Sequence, residues 1–137
     1  FFAQAELDKV LPHTDLVMFS LKAADEDVHR QLTGKDNALI LQNLFHAASR
    51  TQLILRYVVI PGVNDSENSL SKLADVIKKL PSDTKIDLLP YHTMGKAKWQ
   101  MLKIPYKLNT VPDATKADIQ RVKNFFVQAE INNDYVS

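Results

Sequence analysis

Three side chains in this 137-residue sequence could do polar chemistry from the ends or middle of apolar runs. Lys22 follows "DLVMFSL", Arg56 interrupts "LILRYVVI", and His92 follows "KIDLLPY". Arg56 is the most informative, because an unpaired buried charge is strongly unfavourable. It calls for an acid elsewhere in the protein or for an anionic ligand, and residue types alone leave both open. Taken singly, Lys22 reads as a solvated strand end and His92 as a loop histidine bonded to backbone. His13, His29 and His46 show no metal-ligand spacing. Lys96 and Lys98 beside Trp99 read as a solvated loop rather than a nucleic-acid patch. "PGVND" matches no phosphate loop, and Gly62 serves the turn after Pro61.

These side chains are positioned by alternating strands and helices. A helix end over 3–11, with Phe2, Leu7 and Val10 as its apolar residues, is stopped by Pro12. Residues 15–22 form a strand. A helix over 25–34 has Asp25 as N-cap and Gly34 as C-terminal stop, and a second over 37–49 has Asn37 as cap. Residues 52–62 are apolar on both faces, as a parallel strand covered on both sides requires. Asp65 or Ser66 caps a helix to about Leu80. A third strand covers 85–92, "AKWQML" makes one helical turn, and the last helix runs over 114–130. This order is α/β with parallel crossovers: three parallel strands with covering helices, a segment of a (β/α) barrel or half-barrel.

Side chains alternate across a strand. That places Met18, Ser20, Arg56 and His92 together on the face away from the helices, at the strand ends where β/α barrels build their sites. The same count leaves Met18, Ile54, Val58, Ile60, Ile86 and Leu88 as an exposed apolar patch. With a free edge on the first strand, the patch predicts self-association, partly limited by residues 2–11 or by Phe1 and Phe2 folding back.

Composition is globular: 45% hydrophobic and 24% charged, with a formal net charge of +1. It gives no argument for nucleic acid or a membrane surface. The absence of cysteine excludes disulfides, thiolate nucleophiles and thiolate-held metal within these residues. The first residues carry no signal-peptide pattern and read as the continuation of an earlier helix.

"DLVMFSLK", "TGKDN", "LRYVVIPGVNDS" and "LLPYHTMGKAKW" together resemble the C-terminal half of pyruvate formate-lyase activating enzymes, radical S-adenosylmethionine (SAM) proteins. The resemblance implies a partial (β/α)6 barrel, of which residues 1–137 are the C-terminal segment and the cluster-binding N-terminal part is absent. It also implies SAM, a 4Fe-4S cluster held by cysteines of the longer protein and not by these residues, and hydrogen abstraction from a glycine by a 5′-deoxyadenosyl radical. The partner would be a glycyl-radical enzyme such as pyruvate formate-lyase, the electron donor a protein such as flavodoxin, and the location cytoplasmic. Lys22, Arg56 and His92 would line the SAM site, and Met18 would help hold a monovalent cation. Ser20 stands where the family motif has Asp, and Leu102-Lys103 where it has Leu-Gly; the second change is expected to alter loop shape. Another radical SAM maturase and a non-catalytic adaptor for a glycyl-radical enzyme are the rival readings.

Overall fold

The computed structural model describes residues 4–131 and the backbone of 135–136, so Phe1 and Phe2 lie outside the described residues. Helix α1 (Gln4–Val10) runs into a 3₁₀ turn at Leu11–His13 and then strand β1 (Leu16–Ser20). Helices α2 (Glu26–Thr33) and α3 (Ala38–Ala48) lead to β2 (Gln52–Val59), followed by α4 (Glu67–Ile77) and β3 (Lys85–Pro90). A 3₁₀ turn at Thr93–Gly95 and the short α5 (Lys96–Met101) precede α6 (Lys116–Gln128) and a two-residue β4 (Tyr135–Val136). The strands form one parallel sheet in the order β1-β2-β3-β4. The sequence reading does not anticipate β4, because two residues carry no periodic signal.

Capping chemistry sets most helix boundaries. Asp25 accepts from the backbone N–H of Asp27 and Val28, and Gly34 closes α2 in the left-handed region at φ 80°. Ser66, not Asp65, caps α4. Thr115 and Asp118 form a reciprocal capping box on α6. Asn37 precedes α3 but makes no capping bond. Its side-chain amide donates instead to the carbonyls of Ala23 (3.2 Å) and Ala24 (2.8 Å), tying α3 to the loop after β1.

The core lies between the sheet and its helices. Leu55, Tyr57, Ile86 and Leu88 point into it from the strands and meet Leu44, Leu70, Leu73, Val122 and Phe126 from α3, α4 and α6. Each such side chain is worth about 1.5–3 kcal/mol when fully removed from water. Helix α1 joins the helical layer through contact with α3. The buried Tyr57 hydroxyl donates to the Asn64 carbonyl at 2.8 Å, and burial raises its pKa.

Ile60, Ile86 and Leu88 are buried, which removes them from the expected exposed patch. Ile60 lies past the end of β2, where its N–H bonds Asn64, and for Ile86 and Leu88 the physical reason is register. Leu55 lies beside Ile86 and Tyr57 beside Leu88, so the two β3 aliphatics belong to the helix side and Asp87 and Leu89 to the open side. A shift of one residue exchanges every side chain between faces.

Asp25 also links helices. Its carboxylate accepts from Lys72 Nζ at 2.5 Å and Asn68 Nδ2 at 3.2 Å, both on α4. The Lys72 hydrogen bond, aided by the backbone donors of α2, holds its pKa below the ordinary value despite burial. A depressed carboxylate contributes stability above its unfolded pKa, about 3.9, and loses it as pH falls through the lower folded value. Asp25→Asn should therefore flatten the stability–pH curve below about pH 4, checked by urea unfolding between neutral and acidic pH. An unchanged acid limb would contradict this assignment.

Candidate functional site

The C-terminal ends of the strands carry the polar residues. Ser20, Arg56 and Asp87 lie side by side across β1, β2 and β3. Arg56 Nε donates to Asp87 Oδ2 at 2.8 Å. The Arg56 side chain keeps 35% exposure while that of Asp87 keeps 9%. The acid that Arg56 requires is therefore a neighbouring strand residue. The pair uses only Nε, and both Nη groups have no protein partner among the described residues.

Asp87 is absent from the expected site because strand alternation, counted from His92, puts it on the opposite face. The signal that would have found it is the need to bury Ile86 and Leu88 beside Leu55 and Tyr57, which brings Asp87 level with Arg56. His92 does not share the strand face with Arg56 by alternation. It stands beyond the end of β3, exposed, with extended backbone (φ −138°, ψ 150°) and no side-chain hydrogen bond among the described residues. Just before it, Tyr91 is buried and its hydroxyl meets that of Tyr106 at 2.8 Å; burial and this contact raise its pKa.

Lys22 is exposed between two buried neighbours, Leu21 and Ala23. The flanking anchors fix its backbone and turn its side chain outward. Leu21 N–H donates to the Arg56 carbonyl at 3.0 Å, continuing the β1–β2 ladder to the loop. Asn64, fully buried, completes the junction. Its Oδ1 accepts from Ile60 N–H (2.8 Å), and its Nδ2 donates to the Val58 (2.9 Å) and Lys22 (3.2 Å) carbonyls. Gly62 at φ 71° makes the turn that returns Asn64 under the strand. Sequence reading treats "PGVND" as a turn and misses this use of its asparagine.

Met18 lies two residues before Ser20 on the open face, beside Ile54, and is 61% exposed. Ser20 is exposed as well. No group of three or more His, Cys, Asp or Glu side chains suited to a metal ion occurs among the described residues. Lys22, Arg56, His92 and Ser20 thus present donors without other side-chain partners at one end of the sheet. Such a donor set suits a carboxylate or another anionic group.

A non-glycine residue closes α5 in the left-handed region. Lys103 adopts φ 54°. Its N–H donates to the Gln100 carbonyl and that of Ile104 to the Trp99 carbonyl, both near 3 Å, which is a Schellman closure of α5. Lys103 takes the left-handed conformation, which costs a non-glycine residue about 1–2 kcal/mol.

No protein-family model matches the chain. It is 36% identical over 123 residues to pyruvate formate-lyase 1-activating enzyme of Escherichia coli strain K12, covering 89% of this chain and 50% of that protein. It is 37% identical over 122 residues to pyruvate formate-lyase-activating enzyme of Staphylococcus epidermidis, covering 86% and 49%. The chain thus spans about half the length of these curated relatives. Among solved structures, a domain of pyruvate-formate lyase-activating enzyme from Bacteroides vulgatus superposes with TM-score 0.75 at 22% identity, covering 98% of this chain and 75% of that one. A radical SAM methyltransferase from Sphaerobacter thermophilus superposes with TM-score 0.60 at 18% identity, covering 98% and 38%. At these identities the two structures establish a shared fold.

Two substitutions test the geometry. Asp87→Ala leaves the half-buried Arg56 unpaired and should lower stability by about 1–3 kcal/mol, below the range for a fully buried pair because Arg56 reaches solvent; an unchanged urea midpoint would refute the pairing. Asn64→Ala strips partners from three backbone groups and should cost about 2–4 kcal/mol in the same measurement, with a loss under 1 kcal/mol counting against its role as a junction.

Proposed function

Because this chain is a homologue of the pyruvate formate-lyase-activating enzymes, we propose that it forms the C-terminal portion of a radical SAM activase, residues 1–137 being one part of the enzyme's half-barrel. The whole enzyme would install a glycyl radical on pyruvate formate-lyase or a related enzyme in the cytoplasm, with a donor such as flavodoxin. The observation that carries this reading is the set of side chains without other partners at the strand ends: Lys22, His92, Ser20 and the Nη groups of Arg56.

In this reading Arg56 directs its Nη fork at the ligand while Asp87 holds Nε. Lys22 supplies a second cation from the loop that Asn37 and Asn64 fix. His92 supplies a ring nitrogen and a planar surface from beyond β3. Bound SAM would supply the radical that abstracts hydrogen. Its carboxylate suits Arg56 or Lys22, and its adenine suits His92. Met18 and Ser20 would border a monovalent cation, with Ser20 offering a neutral oxygen where the family motif has a carboxylate.

The residues do not fit an iron–sulfur cluster, since none is cysteine. In a longer enzyme that group would be held by other residues. The same observation favours a second reading, a non-catalytic adaptor that meets a glycyl-radical enzyme. Residues 1–137 taken alone would self-associate through the edge of β1, which has no neighbouring strand among the described residues, and the exposed Leu16 and Met18 beside it.

Calorimetric titration with SAM tests the proposal. Lys22→Ala, Arg56→Ala and His92→Ala should each weaken binding about tenfold, or 1.4 kcal/mol, with circular dichroism confirming the fold. Equal affinity in all three variants would return these residues to solvated and ion-paired roles.

A further inference from the structure

The segment between β3 and α6 differs in charge from the rest of the molecule. Between Asp87 and Asp113 there is no acidic residue, while Lys96, Lys98, Lys103 and Lys107 are all present. Four positive charges thus fall in one segment of a chain whose formal net charge is +1, leaving the remainder acidic. None of the four forms an ion pair with a described carboxylate. Lys96 and Lys107 bond only to carbonyls, those of Asn109 (2.7 Å) and Gln31 (3.0 Å).

The same segment is apolar where it meets solvent. Met94 and Met101 are 82% exposed, Leu102 68%, Ile104 48% and Trp99 40%. These are five of the nine large hydrophobic residues exposed among the described residues. The surface is nonetheless ordered by its own contacts. Trp99 packs on Tyr106 with centroids 5.4 Å apart, Tyr106 bonds Tyr91, and the Schellman closure fixes residues 99–104. Exposed Trp and Met side chains interleaved with lysine are the composition of an interface rather than of a solvated loop.

Its position is also specific. The segment leaves the end of β3 beside His92, and Lys107 reaches back to Gln31 in the helix that follows β1. The segment therefore begins at the C-terminal end of the parallel sheet, the end that also carries Lys22, Ser20 and Arg56.

We propose that residues 94–107 are a docking surface for a protein partner that offers an apolar pocket rimmed by acidic side chains, and that this partner is the glycyl-radical enzyme. The identity of the partner rests on the function proposed above; the chemistry of the surface does not. A membrane is disfavoured because α5 spans only six residues and its lysines are interleaved with its apolar side chains instead of opposing them. Nucleic acid is disfavoured because the segment holds no arginine and its one tryptophan is already packed against Tyr106.

The experiment measures binding of purified pyruvate formate-lyase to the chain by biolayer interferometry at several salt concentrations. Lys98→Glu/Lys103→Glu and Met101→Ser/Leu102→Ser should each weaken binding at least tenfold, with the affinity of the parent falling as salt rises. SAM affinity, measured in parallel, should be the same in all three proteins. Equal binding of pyruvate formate-lyase by the variants and the parent would overturn the proposal, as would no binding by the parent or lysine-dependent binding to anionic phosphatidylserine vesicles or duplex DNA instead. Loss of SAM binding in the parent would overturn the functional reading alone.

Discussion

A buried amide, Asn64, joins the parts of this molecule that chemistry would need together. It ends β2 by bonding Val58 and Ile60, and it crosses to β1 by bonding the Lys22 carbonyl. Asn37 does the same work from the other side, on Ala23 and Ala24. Two side-chain amides therefore satisfy a loop that has few ladder partners of its own. Buried backbone carbonyls must be paired, and here the pairing is supplied by residues distant in sequence. The position of Lys22 is a consequence of that accounting.

The Arg56–Asp87 pair sets a second constraint, on the sheet itself. Parallel register could in principle place either face of β3 beside the core. Ile86 and Leu88 favour the helix side by burial, and Asp87 favours the Arg56 side by charge. Both preferences give the same register. Agreement between apolar and electrostatic demands is what makes a register unique. It also leaves the guanidinium only partly used, with Nε spent on Asp87 and the fork open.

Much of this was legible in the sequence. The long apolar run of β2, the Asp25 and Gly34 boundaries of α2 and the inward face of α6 all follow from local pattern, and the parallel α/β order follows from their sequence. Arg56 was recognisable as a charge in need of a partner. The partner was not, because face assignment on β3 depends on a neighbour's register and was counted instead from a residue, His92, that lies beyond the strand. Asn37 and Asn64 were hidden for a related reason. Each sits where a cap or turn residue is ordinary, and only tertiary proximity turns it into a bridge.

Lys103 shows how a local rule can be broken at limited cost. Its left-handed backbone is the conformation that glycine adopts most readily, and the closing hydrogen bonds of α5 form with lysine there. Lysine there adds a charge to an already basic, acid-free segment and restricts the unfolded chain more than glycine would. The restriction of the unfolded chain offsets part of the strain of the left-handed position, whereas the added like charge does not. Backbone closure and the Trp99–Tyr106 contact hold the segment, and the side chains of Lys98, Met101, Leu102 and Lys103 take no part in either. Side-chain changes at these four positions therefore alter the surface and leave the closing bonds and the ring contact in place.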